Sequence, residues 1–126
     1  MRLIGLISFF SILILIGGCK PDDDELTAGK GGQATLKVFP AHHLSLVHDC
    51  TIYLKYNALS KPSSFDDSMR VLRLGDTSFA VFTQLKPGNY YVYGHGIDNN
   101  LDVVDGGIGF RVVEEKLTKI ECPVME

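Results

Sequence analysis

The chain has 126 residues, 45% of them hydrophobic, with 12 Lys and Arg against 15 Asp and Glu for a formal charge of −3. That length suits one domain of ordinary size. The acidic balance leaves no basic face for phosphates, so nucleic acid is excluded as the expected partner.

The chain opens with one positive charge at Arg2, an uncharged apolar run from Leu3 to Ile16, and then Gly17, Gly18 and Cys19. The run is shorter than the ~20 residues a helix needs to cross a bilayer and ends in small residues, as a cleaved leader does. Ile16-Gly17-Gly18-Cys19 resembles a bacterial lipobox, with Ile where Leu is commoner. The resemblance implies a signal peptide over residues 1–18 and a mature chain that starts at a lipid-bearing Cys19, with the lipid as its membrane anchor. Each buried methylene contributes ~0.8 kcal/mol, so two or more acyl chains would hold the protein stably.

Residues 19–32 carry acid, Pro and Gly with no apolar period, and read as a flexible tether. Within them, Lys20-Pro21-Asp22-Asp23-Asp24-Glu25 resembles the export signal of Bacteroidota surface lipoproteins. That likeness implies outer-membrane, cell-surface display.

From Gln33 onward the hydrophobic period is two and turn residues recur, so residues 33–126 are expected to form one all-β domain. Ala34, Leu36 and Val38 mark a first strand ended by Pro40. Cys50 to Tyr56 makes a second, with Ile52 and Leu54 inward. Asn57 to Ser68 reads as a loop. Met69–Leu74 and Ser78–Thr83 follow as two runs joined by a Gly75-Asp76 hairpin turn.

Pro87-Gly88 predicts a type II turn, since Pro fixes φ at its first position and Gly supplies φ > 0 at the second. Tyr90 to Ile97 follows as a strand with Tyr91, Tyr93 and His95 on its outer face. A loop over 98–107 leads to Ile108, Phe110 and Val112, and a last strand carries Ile120, Cys122 and Val124. Pro123 marks an edge or a strand end. Seven short strands predict a two-layer antiparallel sandwich.

Ala80-Val81-Phe82, Leu85 and Pro87-Gly88-Asn89-Tyr90-Tyr91-Val92, with Cys50–Tyr56 before them, resemble the carboxypeptidase-regulatory-like and transthyretin-like (prealbumin-like) sandwich domains. The likeness implies a prealbumin-like or Ig-like fold and carries no chemistry.

Candidate sites follow from residue types. Cys50 and Cys122 share the apolar side of their strands and can be a disulfide or two buried thiols; a bridge would contribute about 4 kcal/mol. Outward Tyr53, Tyr91, Tyr93 and His95 form an aromatic stripe able to bind a protein or glycan partner, or simply to pair across strands. His42, His43 and His48 offer imidazoles for zinc or copper, although adjacent histidines in a strand point to opposite faces. Asp98-Asn99-Asn100-Leu101-Asp102 opens like a calcium loop, but Val103 and Gly109 stand where Gly and an acid are needed. Asp66-Asp67 are neighbours in a loop, without the opposed placement of an acid–base pair. The chain lacks a Gly-framed nucleophile, a phosphate loop and a zinc-protease helix, and no cofactor is expected. The expectation is a non-catalytic binding or accessory lipoprotein, with a metal-binding envelope protein as the alternative.

Overall fold

The computed structural model describes residues 27–113 and 116–126. Cys19, the leader and the acidic cluster lie outside the described residues.

Nine strands follow one another: β1 (Lys30–His42), β2 (Ser45–Leu46), β3 (Asp49–Tyr56), β4 (Asp67–Arg70), β5 (Leu72–Leu74), β6 (Thr77–Leu85), β7 (Gly88–Ile97), β8 (Val103–Val112) and β9 (Leu117–Pro123). One sheet runs β2-β1-β6-β5, with β9 also paired to β1; the other runs β4-β3-β7-β8. Period-two alternation puts Leu36, Val38, Ile52, Leu54, Phe82, Tyr90 and Val92 into one core between them.

The all-β, two-sheet reading holds, while several details of it do not. Nine strands replace seven, and β9 runs parallel to β1, from Thr35↔Leu117 to Ala41↔Pro123. β1 begins at Lys30, with Ala28 already buried, so the domain starts ahead of Gln33. Nor does Pro40 end β1. The last β1–β6 partners are Val38↔Ala80, so the missing N–H costs no bond to β6, and the Pro40 carbonyl still accepts from Val47 N at 2.9 Å.

The run Met69–Leu74 is not one strand. β4 pairs with β3 in one sheet and β5 with β6 in the other, and buried Val71 is the corner, its N donating to Cys50 O at 2.9 Å. The β5–β6 hairpin turns at Gly75-Asp76 as expected, with Gly75 at φ 63°. The 98–107 loop closes early, because β8 starts at Val103. Val104 and Val112 are its core residues, whereas Ile108 is 41% exposed on this edge strand.

Pro87-Gly88 does not make a type II turn. Gly88 has φ 159°, far from the roughly +80° such a turn needs, and it is already the first residue of β7. Its small size serves a close approach: a Cβ there would lie 2.8 Å from Ala28 N. Tyr90 then turns its hydroxyl back, donating to Lys86 O at 2.5 Å and accepting from Gly29 N at 3.0 Å. This is the geometry of a tyrosine corner. It fixes the point where the chain enters the sandwich.

Candidate functional site

At the far end of β1 the chain reverses through His43 and Leu44, between the partners His42↔Ser45. Both turn residues are left-handed, at φ 49° and 66°, the pattern of a type I′ turn that Asn-Gly would fill without strain. This conformation overturns the expectation that adjacent histidines face apart. The His43 ring swings beside that of His42, with centroids 3.9 Å apart. Leu44 is 101% exposed, so its side chain repays none of the strain. Leu44→Gly is expected to raise stability by about 0.5–1 kcal/mol in thermal melts, the relief of the left-handed penalty less the entropy glycine adds to the unfolded chain. A lower melting temperature would contradict this.

His42 is buried, and its Nδ1 lies 2.8 Å from Val124 O. A carbonyl only accepts, so Nδ1 carries a proton, and in the neutral ring Nε2 is left with a lone pair. Among the described residues Nε2 has no hydrogen-bond partner. A buried polar atom left so costs about 1–3 kcal/mol. What faces it is acidic: Glu126 Oε1 at 3.5 Å and Asp98 Oδ2 at 3.7 Å.

Asp98 leaves the end of β7 and is itself buried. Its Oδ1 accepts from Asn100 N and Asp102 N, each at 2.9 Å, which closes the 98–102 loop as an Asx turn. The other oxygen is thereby aimed at His42. The backbone holds Glu126 nearby, since Val124 N donates to Ala41 O at 3.0 Å and Asp105 bridges Met125. Donor atoms of His42, His43 and Glu126 lie within 4.8 Å of one another, as do those of Asp98, Asp102 and Glu126. Beside them is a cavity of about 260 Å³ lined by His43, Ser45, Asp98 and Asn100.

One sequence candidate is corrected here. His48 is not part of a histidine trio, because its Nδ1 bonds the Ser78 hydroxyl instead. The 98–102 segment is the Asx turn its residues imply, with Val103 and Gly109 already in β8. Glu126 carried no signal in the sequence, and the approach of Asp98 to His42 joins residues far apart along the chain.

The aromatic stripe is partly covered by its own chain. Tyr53 and Tyr93 are cross-strand partners, and Phe65 from the 57–66 loop sits against both, 5.4 Å and 5.6 Å between centroids. Lys61 Nζ stands 4.5 Å above the Tyr93 ring. Tyr91 lies on the outer face but is only 9% exposed, so it is not open to a partner. The cause is bare backbone on β8: Cβ atoms would strike Tyr91 at Gly107 and Leu59 O at Gly109, so ring and loop lie flat on this edge. His95 alone of the four is exposed. Burial, and then the hydrogen bond to Asp105, push the Tyr93 hydroxyl up to about 12, so it stays a donor at neutral pH. Asp66 accepts from Tyr56 N at 2.8 Å, and Asp67 lies 3.8 Å from Lys30 Nζ; both carboxylates hold structure.

Cys50 and Cys122, the candidates for a bridge, are free buried thiols. Burial pushes Cys50 up to about 11, and burial with the nearby Cys50 pushes Cys122 up to about 12, from an ordinary 9.0. Below pH 9 folded and unfolded chains both keep these protons, and the stabilisation is complete. Above it the unfolded chain releases them first, so stability falls as pH rises from 9 toward 12. Urea midpoints are expected to stay level from pH 7 to 8.5 and drop above 9, with a shallower drop in Cys50→Ala/Cys122→Ala. Equal slopes in both proteins would refute the assignment.

Comparison with protein-family models, curated proteins and solved structures finds no match for this chain.

Proposed function

We propose that this chain is a lipid-anchored, non-catalytic envelope module, tethered through Cys19 to the outer membrane and displayed at the cell surface, that presents one end of a prealbumin-like sandwich to a protein or glycan partner. The lipobox likeness of Ile16-Gly17-Gly18-Cys19 and the acidic segment behind it support the anchor and the address. The tyrosine corner and the two-sheet core support the fold assignment.

One observation carries the reading. The chain enters beside Tyr90 and Lys86, and β1 then runs thirteen residues to His42, roughly 40 Å at strand rise. β7 runs the same way, from Gly88 at the entry end to Asp98 at the other. A tether at the first end leaves the 43–44 turn and the 98–102 loop pointing away from the membrane. Both tips carry a left-handed leucine that is almost wholly exposed, Leu44 at 101% and Leu101 at 83%. Exposed apolar tips on strained turns serve association better than they serve stability.

Photocrosslinking from position 101 in intact cells tests this. A discrete envelope adduct that disappears with Leu44→Asp is the expected result. Recovery of monomer alone would end the proposal.

A further inference from the structure

We infer that His42, His43, Asp98 and Glu126 form a binding site for a divalent transition-metal ion of the zinc type at the end of the sandwich opposite the tether. This deepens the proposed function by naming what that end holds.

The imidazole of His42 is oriented as a metal ligand would be. Val124 O fixes the proton on Nδ1, as second-shell carbonyls do for ligating histidines, and so turns the Nε2 lone pair into the cluster. That nitrogen is buried, has no hydrogen-bond partner among the described residues, and faces two carboxylate oxygens. With the ring neutral, Nε2 and each of the carboxylate oxygens it faces are acceptors that repel until a cation stands between them.

The spacing suits a small cation. Ligands on zinc at 2.0–2.1 Å in a tetrahedron are about 3.3 Å apart along each edge. The Nε2 separations of 3.5 Å to Glu126 and 3.7 Å to Asp98 come within a few tenths of an ångström of that edge. The left-handed backbone at His43 brings a second imidazole to the same side, within 4.8 Å of the His42 and Glu126 donors. Two neutral imidazoles and two carboxylates would also cancel the charge of a divalent ion.

The donor types narrow the choice. Mixed imidazole and carboxylate ligation favours zinc among available ions, with copper(II) and nickel(II) as neighbours in chemistry. Calcium needs six to eight oxygens, and here one oxygen of Asp98 is spent on the loop. Thiolate-seeking ions are excluded, because Cys50 and Cys122 are buried as thiols in the core.

The test is calorimetric titration of the full chain, extracted in detergent and stripped with chelator, with zinc chloride and separately with calcium chloride. One zinc per chain and no calcium is expected. Glu126→Gln alters a half-exposed side chain and should weaken zinc at least about tenfold without changing the circular dichroism, and His42→Gln should weaken it further. His95→Ala should leave the affinity unchanged. Cobalt(II) in place of zinc should give visible bands of tetrahedral strength that vanish in His42→Gln. Absence of zinc binding, with His42 found doubly protonated between the two carboxylates, would overturn the proposal, as would binding indifferent to Glu126→Gln and His42→Gln. A chain that binds zinc while Cys19→Ala stays in the detergent phase as before would remove the anchor and keep the site. An anchored chain that takes up no zinc would do the reverse.

Discussion

Phe82→Ala is expected to lower stability by about 3–5 kcal/mol, read as a fall in the urea midpoint with little change in slope. Phe82 is 1% exposed and projects from β6, whose backbone partners at this point are on β1 at Leu36. Its ring lies in the one contiguous core with Leu36, Ile52, Leu54 and Val92, which come from both sheets. Truncation removes the apolar burial of the ring and leaves a cavity that residues fixed by two hydrogen-bonded sheets cannot collapse to fill. The loss is a large share of the ~5–15 kcal/mol that holds a domain folded. Phe82→Leu, which keeps most of the volume, should cost well under half as much. An unchanged midpoint in Phe82→Ala would mean that the two sheets do not meet over this ring.

Tyr90→Phe carries the second large effect, about 1–3 kcal/mol from the loss of one oxygen. The hydroxyl is buried; it accepts from Gly29 N and donates to Lys86 O. Phenylalanine fits the same space and keeps the contact with Phe110, whose ring stacks at 5.8 Å. The hydroxyl's two backbone partners are then left without it inside the structure. Because Gly29 lies just ahead of β1, its amide should also exchange with solvent faster in the variant. Stability and Gly29 protection both equal to the parent protein would show that the corner is only a packing contact. Tyr93→Phe is the contrast, since that hydroxyl meets Asp105 on the exposed face and its removal should cost far less.

The core was legible in the sequence wherever burial alone dictates a period of two. Leu36 and Val38, Ile52 and Leu54, and Tyr90 and Val92 all face inward as their alternation predicts. Alternation is blind to which neighbour a strand chooses. Met69–Leu74 therefore looked like one strand, although its backbone changes sheets at Val71, and nothing in Leu117–Pro123 marks a parallel partner. Turn chemistry misled at Gly88 because the small residue there answers a tertiary contact with Ala28 rather than a local φ.

At the end carrying His42, the histidine pair was visible, and the rule that strand neighbours face apart argued against its use. A left-handed backbone at a non-glycine residue is what broke that rule, and such strain is not written in residue types. Asp98 and Glu126 join His42 only through the register of β1, β7 and β9. The tyrosine stripe shows the opposite error: Tyr53 and Tyr93 pair as expected, but Phe65 and Lys61 from the following loop lie over them and Tyr91 sinks beneath.

The central claim is that the end of the sandwich carrying His42 holds a metal through a histidine whose Nδ1 is already bonded to Val124 O. Anomalous scattering at the zinc edge, from crystals of the zinc-loaded chain, tests it most directly. The account predicts one peak about 2.0–2.1 Å from His42 Nε2, with Glu126 or Asp98 oxygen also bonded. A peak bound elsewhere, or none beside His42 at full zinc loading, would contradict it.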